Sequence, residues 1–200
     1  MGNKHTKTTG EELPHVFVVG QNKTGTSSIH DLYRSEAPNM VSAVHHEFGN
    51  KNLSDILEAN FENDKPLFED LPSNTRLISD AENVNRCKFS FKNYDLIQSM
   101  KEQYPDSKFV LNVRDVDGFL ASREKHVSTK KPYFPYTEQW AQCHNIDPSD
   151  RGAVREAMRN DFETHSEKIQ SMFQDEPGRL LVYDIEKDTA DSLRVFVGLE

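Results

Sequence analysis

Short apolar runs alternate along this chain with longer stretches in which apolar residues recur at helical spacing. The unbroken runs predict strands at positions 15–19, 41–44, 76–80, 108–113 and 180–184. The periodic stretches predict helices at positions 29–33, 51–62, 93–103, 116–127, 137–144, 149–173 and from 188 onward. Strands that alternate with helices predict an α/β fold in which a central parallel sheet is flanked by helices.

These elements are expected to form a single domain, because 200 residues are enough to bury one core and no internal repeat or linker divides them. Residues 1–13 are polar and are expected to be a disordered leader, which leaves residues 14–200 as the domain. Two segments have no clear pattern. Residues 81–92 are irregular and rather basic, and residues 128–136 form a loop rich in aromatic residues and proline.

The turn between the first strand and the first helix has the composition of an anion-binding loop. Gly20 ends the strand, Lys23 and Gly25 follow, and hydroxyl residues lead into the helix. Glycines let the backbone approach a ligand, successive N–H groups point into such a loop, and the helix N-terminus adds partial positive charge. The predicted phosphate- or sulfate-binding residues are Gly20, Lys23, Thr24, Gly25, Thr26, Ser27 and Ser28.

This loop differs from that of the nucleotide triphosphatases. Their pattern places a lysine directly after the second glycine, followed by a hydroxyl residue that binds magnesium. Here Thr26 occupies the position of that lysine, and Lys23 precedes Gly25 instead. The anion-binding backbone is therefore retained while the magnesium site is disturbed. An ordinary strand-to-helix turn with a chance lysine stays open as the alternative.

A second candidate anion contact lies at the end of the strand 108–113. Arg114 follows that apolar strand directly, and Ser122 comes eight positions later on the predicted helix. A planar guanidinium suits a phosphate, and a serine hydroxyl adds a further donor. The alternative is a strand-end ion pair between Arg114 and either Asp115 or Asp117.

Together the two motifs resemble the signatures of the sulfotransferase family, whose members use 3′-phosphoadenosine 5′-phosphosulfate (PAPS). The stretch 20–28 resembles the family's 5′-phosphosulfate loop, and Arg114 with Ser122 resembles its 3′-phosphate contact. The stretches 104–109 and 180–186 resemble those of the small bacterial-type branch. The likeness runs from about residue 15 to residue 197.

The resemblance implies a P-loop NTPase-like sulfotransferase fold and a defined activity. Such an enzyme moves the sulfuryl group of PAPS to a hydroxyl or amine by in-line displacement and releases 3′-phosphoadenosine 5′-phosphate (PAP). Lys23 would stabilise the negative charge that develops on the leaving phosphate. The implied acceptor is a small molecule or a glycan, and no metal is required.

The general base is the least defined part of the predicted site. Ligands of parallel sheets bind beyond the carboxyl ends of the strands, where His45, His46, Glu47 and Asp80 are placed by the pattern. The branch that this chain resembles carries an aspartate like Asp80 after a strand. Asp80 therefore ranks first as the catalytic base, followed by His46 and Glu47.

Two other functions stay open at this point. A magnesium-dependent P-loop nucleotide or small-molecule kinase would use Asp184, at the end of the strand 180–184, to hold the metal. A non-catalytic PAPS-binding module would keep the nucleotide site without turnover. Four aromatic residues are candidates to line an acceptor pocket or stack on adenine, namely Tyr133, Phe134, Tyr136 and Trp140.

Composition narrows the partners. The formal net charge is −9 and no dense run of Lys or Arg is present, so a nucleic-acid partner is not expected. Cys87 and Cys143 are far apart in sequence and are expected to be free thiols in a reducing compartment, which indicates the cytoplasm. No apolar run approaches the length of a membrane span. The start of the chain fits the N-myristoylation pattern at Gly2, which would allow membrane association if it is lipidated.

Overall fold

The computed structural model describes residues 13–37, 42–127 and 135–199. In these ranges the strands are β1 (Val16–Val18), β2 (Ser42–His45), β3 (Glu47–Phe48), β4 (Lys51–Asn52), β5 (Thr75–Ser79), β6 (Glu82–Asn83), β7 (Lys88–Phe89), β8 (Lys108–Val113) and β9 (Leu180–Asp184). The helices are α1 (Thr26–Glu36), α2 (Leu53–Glu62), α3 (Tyr94–Gln103), α4 (Val116–Glu124), α5 (Tyr136–Cys143), α6 (Arg151–Met172) and α7 (Ala190–Val197). Short 3-10 helices occupy 84–86, 90–92 and 177–179.

One sheet organises the fold, with its strands in the order β4-β3-β2-β5-β1-β8-β9. The five strands from β2 to β9 in that order are parallel, whereas β3 and β4 extend one edge in antiparallel pairing. Strands β6 and β7 form a separate antiparallel pair. The predicted α/β architecture with a central parallel sheet and flanking helices is therefore confirmed.

The central strand β1 is buried on both faces, because its side chains alternate between two hydrophobic clusters. Phe17 packs in the cluster that includes apolar residues of α2, α3 and α6. Val16 and Val18 pack on the opposite side with apolar residues of α1 and α7. This double burial explains why β1 is an unbroken apolar run. A third cluster joins α4, α5 and α6.

The predicted strands and helices all occur, with boundary shifts of a few residues. The pattern did not indicate the two-residue strands β3, β4, β6 and β7, because strands of that length show no period. Lys51 and Asn52 were predicted to begin the second helix but form β4 instead. Asn52 caps α2 from that position, since its side chain accepts a hydrogen bond from the Ser54 N–H at 2.9 Å.

The expectation of two free thiols is wrong, because Cys87 and Cys143 form a disulfide. Cys87 follows the 3-10 helix 84–86, and Cys143 is the last residue of α5. These two elements pack together in the fold, which brings the two Cα atoms to 5.2 Å across a sequence separation of 56. The cysteines therefore give no support to a reducing compartment.

Several predictions fall on positions outside the described residues. These are the leader up to residue 12, with the myristoylation pattern at Gly2, and the aromatic residues Tyr133 and Phe134. In the part of the chain that the structure describes, no helix combines the length and apolar character that a bilayer span requires.

The disulfide is expected to contribute to stability. Replacing both cysteines (Cys87→Ser with Cys143→Ser) should lower the free energy of unfolding by about 4 kcal/mol, because the unfolded chain loses a cross-link across a long loop. Urea titration of the variant and of the wild type measures the difference. Alkylation of the denatured, unreduced wild type should label no cysteine, and labelling of both would show that the bond does not form.

Candidate functional site

The carboxyl ends of the parallel strands border one cavity of about 870 Å³. Small-ligand pockets span about 300–1,000 Å³, so this cavity has room for more than a single small group. Residues that follow β1, β2, β5, β8 and β9 all contribute to its walls. The predicted site residues that line it are Lys23, Gly25, Thr26, Ser27, Ser28, His46, Glu47, Asp80, Arg114 and Ser122.

Asn112, a fully buried residue of β8, stabilises the conformation of the loop after β1 through its side-chain amide. Its Oδ1 accepts a hydrogen bond from the Gly20 N–H at 3.0 Å, and its Nδ2 donates to the Thr24 carbonyl oxygen at 2.9 Å. A Cβ at position 20 would lie 2.2 Å from Asn112 Oδ1, so only glycine fits there. The Thr24 hydroxyl donates to the Gln21 carbonyl. Gly20 and Thr24 therefore belong to the internal frame of the loop and are not among the residues that line the cavity.

Sequence reasoning missed Asn112, although a signal was present. An amide in an otherwise apolar strand is expected to be hydrogen-bonded, because an unpaired buried amide is costly. The sequence does not show which group pairs with it. That partner is set by the pairing of β8 beside β1.

The loop enters α1 through two residues with left-handed backbone, Lys23 (φ 70°) and Gly25 (φ 87°). The Ile185 side chain also excludes a side chain at position 25, because its Cγ2 would lie 2.9 Å from an added Cβ. Within the described residues no side chain caps α1, and Ser27 and Ser28 are exposed at the cavity. The start of α1 therefore offers backbone N–H groups and hydroxyls to an anion.

Two cations face this anion site. Lys23 is half-buried; burial lowers the pKa of its ammonium, and the charges of Asp80 and Glu82 oppose that shift. The Arg114 guanidinium lies close by, with Nη1 3.5 Å from the Lys23 carbonyl oxygen. The loop and the strand-end arginine are 91 positions apart in sequence, and the fold brings them to one side of the molecule.

The ion-pair partner of Arg114 differs from both that were considered. Its Nη2 lies 2.6 Å from Glu186 Oε1, while its Nε is buried without a hydrogen-bond partner among the described residues. Asp115 instead caps α4 by accepting from the Gly118 N–H at 2.8 Å. Asp117 pairs with Arg155 and Arg159. Arg114 therefore keeps donor capacity that a ligand oxygen can use.

Asp80 follows β5 in a left-handed conformation (φ 56°) and is largely buried. Burial, and then the charge of nearby Glu82, raises the pKa of Asp80 to about 7, against the opposing effect of Lys23 and Arg123. In the part of the chain that the structure describes, Asp80 Oδ1 is buried without a hydrogen-bond partner. A carboxylate with a free oxygen and such a pKa can accept a proton near neutral pH.

His45, which was considered and not ranked, connects the anion loop with Asp80. Its Nδ1 lies 2.8 Å from Ser79 Oγ, and its Nε2 lies 3.2 Å from Ser27 Oγ and 3.6 Å from Asp80 Oδ2. Burial, and then the neighbouring imidazoles, lower the pKa of His45 to about 4, so the ring is neutral at physiological pH. His45 is therefore placed to position both neighbouring groups.

His46 and Glu47 also line the cavity but are more exposed than Asp80. His46 Nε2 lies 3.9 Å from Glu47 Oε1, and their side chains are 44% and 39% exposed, against 16% for Asp80. The structure thus brings all three ranked candidates to the cavity, and only Asp80 is largely buried there.

Sequence reasoning also missed a buried cluster around Glu82. Glu82 accepts hydrogen bonds from the Asn22 N–H at 3.1 Å and from the Tyr136 hydroxyl at 2.8 Å. Both of its oxygens lie 3.5 Å from Nη2 of Arg123, which is fully buried between the rings of Phe119 and Tyr136. The segment 81–92 had no readable period, so nothing in the sequence indicated that it approaches the loop.

The aromatic residues divide between the cavity and the core. Tyr136 lines the cavity, although its ring is buried and its hydroxyl is used by Glu82. Trp140 is 1% exposed, packs in the α4–α6 cluster and stacks on His144 at 3.8 Å. Trp140 is therefore a core residue, and its proposed place in an acceptor pocket is wrong.

Asp184, the metal ligand that a kinase would need, is engaged elsewhere. Its Oδ1 accepts from the Glu186 N–H at 3.0 Å and its Oδ2 pairs with Lys187 at 2.6 Å. It is not among the residues that line the cavity. Within the described ranges, no group of three or more His, Cys, Asp or Glu side chains is arranged to hold a metal ion.

The geometry agrees with the comparison to known families. Residues 15–198 match the family model of the sulfotransferase domain, so this chain belongs to the sulfotransferase family. The family implies transfer of sulfuryl groups. A search of the curated proteins finds no match.

The frame of the loop can be tested through Asn112. Asn112→Ala should lower the free energy of unfolding by about 3 kcal/mol, because it leaves the Gly20 N–H and the Thr24 carbonyl buried without partners. Urea titration measures the loss. The matched change Asn160→Ala, at an exposed position of α6, should stay within about 0.5 kcal/mol of the wild type. Equal stability of the two variants would contradict the role given to Asn112.

Proposed function

We propose that this protein transfers the sulfuryl group of PAPS to a hydroxyl or amine of an acceptor by in-line displacement. The proposal rests on one observation: the loop predicted to bind the phosphosulfate and the arginine predicted to bind the 3′-phosphate are neighbours. Arg114 Nη1 lies 3.5 Å from the carbonyl oxygen of Lys23. A phosphosulfate on the loop and a 3′-phosphate on Arg114 then belong to one adenosine ligand. The two contacts lie on one cavity that has space for an acceptor as well.

In this proposal the 5′-phosphosulfate binds at the start of α1. The backbone N–H groups of the loop, the exposed hydroxyls of Ser27 and Ser28 and the helix dipole face the anion. Lys23 supplies a full positive charge at the same place. Because negative charge grows on the phosphate oxygen as the S–O bond breaks, Lys23 stabilises the transition state more than the bound donor.

The 3′-phosphate binds between Arg114 and Ser122. The Arg114 side chain lines the cavity and is 23% exposed, and its Nη1 makes only a long contact of 3.5 Å with the Lys23 carbonyl oxygen, so Nη1 can donate to a phosphate oxygen. Glu186 holds the other side of the guanidinium at 2.6 Å and orients it toward the cavity. Ser122, on α4, lines the cavity and adds a hydroxyl.

Asp80 is the proposed general base. The acceptor oxygen or nitrogen bonds to sulfur, its proton passes to Asp80 Oδ1, and the electron pair of the broken S–O bond stays on the phosphate of PAP. The neighbouring carboxylate of Glu82 is less suited, because three groups already donate to it or pair with it. His46 and Glu47 are retained as alternatives, since both line the cavity.

We also propose that residues 14–200 act as one domain, because the seven-stranded sheet, its flanking helices and the segment 82–86 all contribute residues to the same cavity. The alternative function, a magnesium-dependent kinase, has less support. It would need Asp184 to hold the metal, and the oxygens of Asp184 already accept from the Glu186 N–H and pair with Lys187.

Nucleotide binding tests the proposal directly. By titration calorimetry the wild type should bind PAP, and Arg114→Ala should weaken binding about 10- to 100-fold through loss of charged hydrogen bonds. Arg86→Ala is the matched control: it removes the same charge from a residue that lines the same cavity in the segment after β6, and should leave PAP affinity unchanged. Asp184→Ala should also retain binding.

Two results would overturn the donor assignment. One is no binding of PAP by the folded wild type. The other is binding of ATP that EDTA abolishes, which is the behaviour of the kinase. Binding of PAP without transfer to any acceptor would instead support the non-catalytic module.

The assignment of Asp80 as the general base is tested by measuring how kcat/KM depends on pH. Because the pKa of Asp80 is raised to about 7, the carboxyl is protonated below that pH and cannot accept a proton, so kcat/KM should fall about tenfold per pH unit below 7. Asp80→Asn should lower transfer about 100-fold or more with PAP affinity retained.

The raised pKa of Asp80 also predicts how the stability of the folded protein changes with pH. The folded state holds the Asp80 proton more tightly than the unfolded state, so ionised Asp80 costs stability as pH rises from about 4 to about 7. Asp80→Asn removes that cost and should raise the Tm at pH 8, whereas Asp175→Asn, at an exposed position, should not.

Full sulfuryl-transfer activity of Asp80→Asn would contradict the assignment of Asp80 as the general base and would favour His46 or Glu47 in that role.

A further inference from the structure

Within the described residues, four buried side-chain oxygens of residues that line the cavity have no hydrogen-bond partner, namely Asn22 Oδ1, Asp55 Oδ1, Asp80 Oδ1 and Gln139 Oε1. Asp55 Oδ1 lies 3.2 Å from the Lys88 ammonium, so the oxygens of Asn22, Asp80 and Gln139 are the three that lack both a hydrogen bond and an ion pair. Buried polar atoms in native structures are nearly always paired, so an unpaired set at one cavity indicates a ligand that brings the missing donors.

The residues that carry these oxygens are connected through Glu82. The Asn22 N–H and the Tyr136 hydroxyl donate to its two oxygens at 3.1 and 2.8 Å, and Gln139 lies one turn of α5 beyond Tyr136. The charge of Glu82 also acts on Asp80. The unpaired oxygens therefore belong to one region of the cavity, and their missing donors can come from one molecule.

The proposed donor cannot supply them. The phosphosulfate end of PAPS presents oxygen acceptors, and its sugar and base are assigned to the side of Arg114 and Ser122. Groups that donate to Asn22, Asp80 and Gln139 must therefore come from the second substrate. An acceptor with a single hydroxyl would leave two of the three oxygens unpaired, so three neighbouring donor groups are needed.

The other residues that line the cavity near Glu82 are mostly polar as well. Of the described residues that line the cavity, the aliphatic side chains are those of Val84 and Ile185, and Ile185 packs against Gly25 at the donor loop. Pockets for aromatic or aliphatic ligands are lined mainly by apolar side chains. The amide residues on this wall, each able to donate and to accept, are Asn50, Asn52, Asn83, Asn85 and Gln139.

The charges of the wall do not favour a polyanion. Asp55 pairs with Arg86 at 3.3 Å and with Lys88 at 3.2 Å, so the basic residue that lines this side is already matched by a carboxylate. Asp80 and Glu82 add negative charge beside the loop. A neutral acceptor meets no electrostatic cost here, whereas an already sulfated one would.

We propose that the acceptor is a neutral polyhydroxylated molecule of the carbohydrate class, bound through donation of its hydroxyls to Asn22, Asp80 and Gln139. The hydroxyl at Asp80 is the one that takes the sulfuryl group, and its neighbours on the sugar ring donate to the two amides. Gln139 and Asn22 are specificity residues in this arrangement. The inference rests on the proposed transfer from PAPS.

The experiment measures sulfuryl transfer from radiolabelled PAPS by the full chain to a panel of neutral sugars, with 4-nitrophenol and 1-octanol as the aromatic and aliphatic alternatives. Neutral sugars should be the preferred class. For the best sugar, Gln139→Leu should raise the acceptor KM about 3- to 10-fold by loss of one hydrogen bond, with PAP affinity unchanged. Gln142→Leu, an exposed position of the same helix, is the matched control and should match the wild type.

A second measurement uses the wild type alone and does not depend on the folding of a variant. Deoxy analogues of the best sugar that lack a hydroxyl next to the sulfated position should lose about tenfold in kcat/KM. If PAP binds but the phenol or the aliphatic alcohol is preferred, or no sugar is sulfated, this inference is overturned while the donor assignment stands. If PAP does not bind, the proposed function itself fails.

Discussion

The site depends on the hydrogen bonds between Asn112 of β8 and the loop that leaves β1. Gly20 donates to the amide oxygen and the Thr24 carbonyl accepts from the amide nitrogen, so one buried side chain satisfies a loop that has no ladder partner of its own. Because β1 pairs with β5 on one side and with β8 on the other, the residues that follow those two strands lie beside this loop. Asp80 and Arg114 therefore face Lys23 across a single cavity.

Two carboxylates after β5 show how surroundings assign different roles to similar groups. Glu82 receives hydrogen bonds from the loop backbone and from Tyr136 and pairs with buried Arg123, so its oxygens are occupied and it supports the loop. Asp80 is buried with one oxygen unpaired, and its pKa is raised to about 7. Two carboxylates whose surroundings move their pKa values apart are a common arrangement for acid–base chemistry near neutral pH, which is the basis for proposing Asp80 as the general base.

The pattern of apolar residues predicted the fold well because its strands are buried on both faces and its helices on one. Such burial leaves unbroken runs and helical periods that single-sequence reasoning can read. The apolar pattern did not predict the features that depend on contacts between segments distant in sequence. The strands β3, β4, β6 and β7 have two residues each, and Cys87 and Cys143 meet only because α5 packs on the 3-10 helix 84–86. The ion-pair partner of Arg114, Glu186, is 72 positions away and could not be chosen from its neighbours in sequence.

Residue order alone predicted the α/β architecture, which the structure confirms, and it also predicted an anion loop with Lys23 and a second contact at Arg114, because glycine spacing and apolar runs are local properties. The family match over residues 15–198 agrees with that interpretation. The sequence ranked Asp80 first only through the family resemblance. Tertiary structure showed that Asp80 is more buried than His46 and Glu47, revealed Asn112 and Glu82, and removed Trp140 from the cavity. Those distinctions rest on burial and on which donors reach which acceptors, and both arise only when distant segments pack together.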